Sequence, residues 1–442
     1  MRGLIMKSEP ADADVVIVGG GFSGTMIAAQ LSNRGLRVAL VEGGERAGQG
    51  TAYSTRDAVH LLNVPAAKMS AWPDRPDDFV GAGHEAGSFA PRREYGVYLR
   101  SILNGALAGG VQLIEAKAVS AANQGGWSVT LDDRRILRAR ALVLAQGNQP
   151  PEPMRDGAGV DGALFVNNPW GSGAREAIER VTADDGAVLV LGTGLTMIDM
   201  LLSLEAAGHR GRIVALSRRG QVPRSHAPHD AAPVGYEELP KGNVMALWGW
   251  LRARSAAVGW RAGVDSLRPH AQALWRGWSV EEQHRFLRHA RPYWDVHRHR
   301  IAPQVAAQLE AARSAGRLEV VAGRLRSVTA DRGALAVSYS RRNAPSGGLS
   351  QERFGAVFNC TGPLGSMART RDPLLRQMIE GGIVAIDHLG MGISVDGQSR
   401  AAKGVWALGP LSKGAFWEIV AVPDIRGQVA SVADQIAKEL KA

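Results

Sequence analysis

Asp14-Val-Val-Ile-Val-Gly19-Gly-Gly21-Phe22-Ser23-Gly24, with Val38-Ala-Leu-Val-Glu42 following it, is the stretch on which the fold turns. Val15 to Val18 is a short apolar run rich in β-branched residues, the pattern of a parallel strand buried on both faces. A helix then runs to about Asn33, Gly35 ends it, and Leu36 to Val41 forms the next strand, completing one βαβ unit. Each glycine has its own task. Gly19 lets the chain turn sharply, Gly21 lets backbone N–H groups approach a pyrophosphate, and Gly24 lets the helix pack close to the strand. Phe22 and Ser23 head the helix, whose positive end attracts the phosphates. Glu42 stands where a carboxylate accepts hydrogen bonds from a ribose 2′-hydroxyl. The expectation is a dinucleotide site on Gly19, Gly21, Phe22, Ser23, Gly24 and Glu42.

The plan recurs. Ala187 to Leu191 is a second buried strand, Gly192-Thr193-Gly194 a second turn, Leu195 to Ala207 a second helix and Arg212 to Leu216 its partner strand. A meander follows through Leu318 to Val321 and Leu335 to Ser340. Its last strand, Phe354 to Phe358, closes on Asn359-Cys360-Thr361-Gly362, the counterpart of Ala145-Gln146-Gly147. Two copies imply two nucleotides. The second differs at Met197, which replaces the third glycine and is expected to hold helix and strand further apart. It differs again at Ser217-Arg218-Arg219, which stands where Glu42 stood. An acid repels a 2′-phosphate and an arginine fork pairs with one, so Gly192, Thr193, Gly194, Arg218 and Arg219 favour NADPH over NADH.

The expected fold class is α/β, with two Rossmann-like dinucleotide-binding domains, each a parallel sheet with a β-meander, plus a helical insertion. The boundaries expected are 1–165 with 355–442 for a first, FAD-binding domain, 166–225 with 303–354 for an NAD(P)H-binding domain, and 226–302 for the insertion. In the insertion Val244, Leu247, Trp248 and Leu251 share one helical face, Ser279 opens a helix through a capping box, and Pro292 stops it. Six of the eleven tryptophans lie there, as packing or as a lid over a substrate.

Cys360 is the only cysteine. No intramolecular disulfide and no redox-active cysteine pair can form, which removes the disulfide reductases and fits a reducing cytosol. The net charge of +10 is spread along the chain rather than gathered into a basic arm, which argues against nucleic acid. No apolar run reaches the length of a membrane span, and Met1 to Ala13 reads as a loose tail rather than a signal peptide. The histidines at 226, 229, 297 and 299 match no zinc spacing, so no metal is expected. Arg224 and His226 are kept as contacts to the nicotinamide nucleotide or an anionic substrate.

The long stretch from Gly43 to Ala90 leaves the first cofactor strand directly and is expected to wrap the ligand. Pro91-Arg92-Arg93 starts a helix with Val97, Leu99 and Ile102 inward. Its arginines stand between a solvated helix start and a phosphate or flavin contact. At the other end of the chain, Asp424 to Lys441 forms a closing helix whose N-terminus can face the electron-rich edge of a ring. Trp417 and Glu418 precede it, as core and rim or as part of a reaction chamber.

Gly50-Thr51-Ala-Tyr53, His60-Leu-Leu-Asn63-Val-Pro65, Pro91-Arg-Arg93, Gly192-Thr-Gly-Leu-Thr-Met-Ile-Asp199, Asn359-Cys-Thr-Gly-Pro363 and Trp417-Glu with Pro423 and Arg426 together resemble the FAD/NAD(P)-binding oxidoreductases sometimes called the YdhS-like bacterial flavoproteins. The resemblance extends from about Asp14 to Ile436 and is more distantly shared with two-dinucleotide flavin monooxygenases. It implies FAD on Gly19, Gly21, Gly24 and Glu42, covered by the Thr51 and Asn63 loops and closed off by Gly147 and Gly409-Pro410, with Val119 as a further cofactor contact. The chain departs from these relatives where Gly409-Pro410 replaces Gly-Asp. It departs again where Phe165-Val-Asn-Asn-Pro-Trp170 replaces the Phe-x-Gly-x-x-x-His motif of Baeyer–Villiger and related monooxygenases.

The function expected is an NADPH-dependent, FAD-containing monooxygenase acting in the cytoplasm. It would use O2, by way of a flavin (hydro)peroxide, to hydroxylate a small nucleophilic substrate, anionic or nitrogenous. Two alternatives are an NAD(P)H:acceptor reductase or oxidase without oxygen transfer, and a nucleotide-binding protein without turnover. No catalytic side chain is singled out, while His226 and Trp417 are the candidate substrate contacts.

Overall fold

The computed structural model describes residues 11–154, 162–342 and 348–441; most of the expected N-terminal tail, residues 1–10, lies outside them. The strands in chain order are β1 (Ala13–Val18), β2 (Val38–Val41), β3 (Gln112–Ile114), β4 (Ala118–Asn123), β5 (Trp127–Leu131), β6 (Ile136–Leu144), β7 (Phe165–Val166) and β8 (Val188–Leu191). They continue with β9 (Ile213–Ser217), β10 (Leu318–Asp331), β11 (Ala334–Arg341), β12 (Leu349–Phe354), β13 (Ala356–Asn359), β14 (Arg400–Ala402) and β15 (Val405–Ala407). Among the described residues they form two sheets. The first runs β14-β15-β6-β1-β2-β3, with β4 and β5 attached through β6. The second runs β12-β11-β10-β9-β8-β13-β7.

The repeat in the sequence is a repeat in space. Parallel pairing of β1 with β2 and β6 is reproduced by β8 with β9 and β13. These strands are buried on both faces, which is why their sequences are unbroken apolar runs. Helices cover them: Phe22–Asn33 and Val422–Lys441 pack with the first sheet, Leu195–Ala206 with the second.

Several expected elements shift. The second sheet runs from β7, which starts at Phe165, to β13, which ends at Asn359 beside β8 in the parallel core. Gly355 divides the strand expected over 354–358: β12 pairs antiparallel with β11, whereas β13 pairs parallel with β8. Between β3 and β4 the chain leaves the parallel pairing after Ile114 and enters the meander at Ala118. Val97 points outward, 66% exposed, because Tyr95, Tyr98, Leu99 and Leu103 occupy the inward stripe of helix Arg92–Ala108.

The insertion is helical, with segments Val244–Val258, Trp260–Leu267, Ala271–Gly277, Val280–Arg285 and Arg291–Arg298. Ser279 caps its helix as expected, accepting from the Glu282 N–H. The Glu282 carboxylate, however, turns away and accepts from Val244 N–H at 2.8 Å, capping the neighbouring helix. Pro292 does not stop the chain's helical course. A π-helical turn over Phe286–Ala290 intervenes, and Pro292 lies in the first turn of the next helix, where its missing N–H costs nothing.

Candidate functional site: two glycine cradles and a cleft

At the C-terminal end of β1, Gly19 has φ +103° and a Cβ there would stand 2.5 Å from the Ala145 carbonyl oxygen. Gly24 is tighter still, since a Cβ would fall 1.7 Å from the Gly19 carbonyl oxygen. Gly21 caps helix Phe22–Asn33 without any side-chain hydrogen bond to the helix start. The first N–H groups, headed by Phe22, Ser23 and Gly24, therefore stay available to an anion. Glu42 reaches across from the end of β2 and accepts the Gly20 N–H at 2.7 Å through Oε2. This fixes the carboxylate at the turn and leaves Oε1 for a ribose hydroxyl.

Two segments close over this turn. Gly50, at φ +58°, would place a Cβ 2.8 Å from the Gly21 Cα, so the turn Gly50–Tyr53 that carries Thr51 lies directly on the dinucleotide glycine. Gly409, at φ +60°, faces Ser23, whose Oγ would be 2.8 Å from an added Cβ. The Gly409 N–H donates to Gln428 Oε1 at 2.8 Å, and Pro410 begins the short helical turn that follows. Gly147, at φ +67°, has open space where a side chain would project. Val119 is the extra residue of a bulge between β4 and β5, without a register partner across the strands.

The second turn repeats the first closely. Gly192 has φ +106°, and a Cβ would meet the Cys360 carbonyl oxygen at 2.2 Å. Gly194 caps Leu195–Ala206 at φ −86°, ψ −162°, against −76° and −163° at Gly21, again with no side-chain cap. Met197 is fully buried in the second core. The helix start loosens around it: Ile198 N–H reaches Gly194 O at 3.3 Å, where Thr25 reaches Gly21 O at 2.9 Å. In place of Glu42 and Gly20, Ser217 and Thr193 pair through their hydroxyls at 2.9 Å.

The expected arginine fork is divided. Arg218 is exposed and makes no hydrogen bond or ion pair among the described residues. Arg219 instead donates to the carbonyls of Arg288 and His289, both at 2.9 Å, tying the insertion to the second sheet. Arg92 and Arg93 separate as well. Arg93 is exposed, whereas Arg92 Nη2 bonds both carboxylate oxygens of Asp199, at 2.9 and 3.1 Å. Burial raises the Asp199 carboxyl above its ordinary range, and Arg92 and His60 oppose that rise. His60, itself buried, donates through Nε2 to Ser203 at 2.9 Å and accepts at Nδ1 from Thr55 at 2.8 Å. This network, absent from the expected site, joins the loop after β2 to the helix of the second unit. His60, Arg92 and Asp199 stand in the quoted motifs while Thr55 and Ser203 stand in none, because nothing local relates His60 to Ser203.

His226 and Asn63 do meet: His226 Nε2–H donates to the Asn63 carbonyl at 3.0 Å, and burial lowers the imidazole's affinity for a second proton. Arg224 is exposed, its backbone held by Val296 and Ile301. Trp417 stacks on Trp275 at 4.8 Å and meets Phe286 edge-on, so it packs the insertion against the first unit. Trp417 also lines a cleft of about 720 Å³ at the N-terminus of Val422–Lys441. Glu418 beside it is buried at φ +66°, accepting from the Trp294 indole N–H and from Arg298 Nε at 3.0 Å. A non-glycine residue held there is strained, and the buried ion pair fixes it.

Residues 16–149 match the model of the FAD-NAD(P)-binding family. A 213-residue stretch is 25% identical to 2-oxo-Δ3-4,5,5-trimethylcyclopentenylacetyl-CoA monooxygenase of Pseudomonas putida, covering 44% of this chain and 36% of that protein. A 56-residue stretch is 48% identical to (S)-6-hydroxynicotine oxidase of Paenarthrobacter nicotinovorans, covering 13% of this chain and 12% of that protein. The matches thus span well under half the length of these curated relatives. Among solved structures, the ornithine N-hydroxylase of Kutzneria sp. 744, described with reduced FAD, NADP+ and L-ornithine, superposes with a TM-score of 0.67. The alignment covers 98% of this chain and all of that one at 15% identity, a likeness of fold. The chain therefore shares the fold of the two-dinucleotide flavoproteins, and the match to the FAD-NAD(P)-binding family falls in its N-terminal part. No helix among the described residues is long and apolar enough to cross a membrane.

Proposed function

We propose that the protein is an FAD-dependent, NADPH-using oxidoreductase, and specifically a monooxygenase that hydroxylates a small nucleophilic substrate with O2. The observation that carries the reading is the pair of uncapped, glycine-headed helix starts at the C-terminal ends of β1 and β8, the central parallel strands of two mixed sheets, in a chain whose only cysteine is buried Cys360. Burial pushes that thiol well above its ordinary pKa, so electrons delivered by a nicotinamide have no protein dithiol to enter. The resemblance to YdhS-like flavoproteins supports the same reading, and a reducing cytosol is the proposed compartment.

In this reading Gly19, Gly21, Phe22, Ser23, Gly24 and Glu42 hold FAD, with Thr51, Asn63, Val119, Gly147, Gly409 and Pro410 around it. Gly192, Thr193, Gly194 and Arg218 receive NADPH. Arg219 supports the site by anchoring the insertion rather than by pairing with phosphate. Flavin, when bound, supplies the hydride acceptor and the oxygen chemistry. The chain's own residues bind, orient and exclude water, and the aromatic insertion over Trp417 suits the last of these.

The test is anaerobic mixing of the yellow protein with NADPH, then O2. Flavin bleaching by NADPH, slow until substrate is added, and label from isotopic O2 in the product are expected. Fast NADPH oxidation that releases only peroxide marks the oxidase or reductase alternative. A protein that takes up no flavin ends the proposal.

A further inference from the structure

The cleft beside Trp417 carries a charge pattern that the two nucleotide turns leave unexplained. Lys68, Arg268 and Arg426 face it, with Glu418 and Asp424 as the acids. Glu418 is already committed to Trp294 and Arg298. Asp424 lies 3.9 Å from Arg268 Nη2 and from Arg298 Nη2, beyond hydrogen-bond reach. Asp424 Oδ2 is buried without any hydrogen-bond partner, as is Nη2 of Arg298, which does not itself line the cleft, and among the described residues Arg268 has no contact with an acid closer than that 3.9 Å.

A buried donor and a buried acceptor left unmade in this way cost stability. An amine is disfavoured, because two guanidinium groups each stand 3.9 Å from Asp424 Oδ2. An anion is favoured by those same groups and by the N-terminus of the long helix Val422–Lys441. Burial also raises the Asp424 carboxyl toward its neutral form, weakening its claim on the arginines. Phe416, Trp417 and Pro269 give the cleft an apolar wall.

We propose that this cleft seats the carboxylate of a small organic acid, with Arg268 as its principal ligand, Lys68 at the rim and Trp417 along the apolar body. The proposal rests on the flavoprotein reading only in naming that acid as substrate; the binding itself stands apart from it.

The test is calorimetric titration of the purified protein with benzoate, phenylacetate and octanoate, alongside benzylamine and benzyl alcohol, with tryptophan fluorescence as a second readout. At least one acid is expected to bind and the amine not to. Arg268→Gln should weaken that binding roughly tenfold or more, as loss of a charge-assisted hydrogen bond requires. Lys68→Gln, an exposed position, should weaken it roughly two- to threefold and serves if the arginine variant fails to fold. Tighter binding of benzylamine, binding of none of the three acids, or unchanged affinity in both variants overturns the proposal. So does an Arg268→Gln protein that binds acid normally while losing flavin, since the arginine would then serve the cofactor. A colourless protein that still binds acid through Arg268 defeats the functional reading and leaves this one standing.

Discussion

The two glycine turns share a backbone and differ in what each position carries. Gly19 and Gly192 sit at φ +103° and +106°, each against a carbonyl from the strand alongside. From there the copies diverge: Gly24 against Met197, Met26 against Asp199, Glu42 against Ser217. The first turn is compressed, covered by Gly50 and Gly409, and latched by Glu42. Over the second, Gly194 has nothing within 4 Å of where a Cβ would be. On the proposed function, the first copy encloses its ligand and the second admits and releases one. Backbone repetition therefore fixes the kind of ligand, and side-chain divergence fixes how it is held.

The sharpest way to break this comparison is Gly24→Ala. With its Cβ 1.7 Å from a backbone oxygen, the helix must move, and the purified protein should lack flavin absorbance. Met197→Ala at the matching place should keep its flavin and lose about 2–5 kcal/mol of stability in denaturant titration, from the cavity left behind. If both variants keep flavin equally, the two turns are not different in kind.

Next in size is Asp199→Ala. It leaves Arg92 buried beside an emptied site and should cost about 3–5 kcal/mol by the same titration. At the equivalent position of the first helix Met26 is simply apolar core, so Met26→Leu should cost less than about 1.5 kcal/mol. An unchanged unfolding midpoint for Asp199→Ala would mean that the ion pair does not join the two units.

Arg218→Gln should raise KM for NADPH roughly tenfold with little change for NADH, the loss expected for one charge-assisted contact. Arg219→Gln should lower the thermal midpoint and leave that preference alone, since its donors are spent on Arg288 and His289. The reverse result would reinstate the fork read from Ser217-Arg218-Arg219.

The smallest effect is pH dependence in the insertion. Burial lowers the pKa of His299 below 6.5; Glu418 and Asp295 oppose this, while Arg298 and Arg291 add to it. The folded protein then binds fewer protons than the unfolded chain, so this contribution is complete above pH 6.5 and is lost as pH falls below it. Asp295 and Asp424, both raised by burial, act oppositely: their contribution is present at low pH and fades as pH rises above 3.8. Thermal melts of wild type and His299→Gln across pH 7.5 to 5.5, roughly the range in which histidine titrates, isolate the histidine. The variant should show the flatter profile, and parallel profiles would contradict it.

Much of this was legible in the chain itself. The doubled strand-turn-helix, the acid on one copy and its loss on the other, and the absence of a dithiol follow from local spacing and counting. They hold because a glycine at a tight turn and an apolar parallel strand answer to neighbours a few residues away. What the tertiary structure decided are partnerships across long separations. Arg92 pairs with Asp199, Arg219 bonds carbonyls of the insertion, and Glu418 forms a buried pair with Arg298. Charged side chains are long and nearly indifferent to local backbone pattern, and a buried charge takes whichever opposite charge or carbonyl the fold brings within about 3 Å.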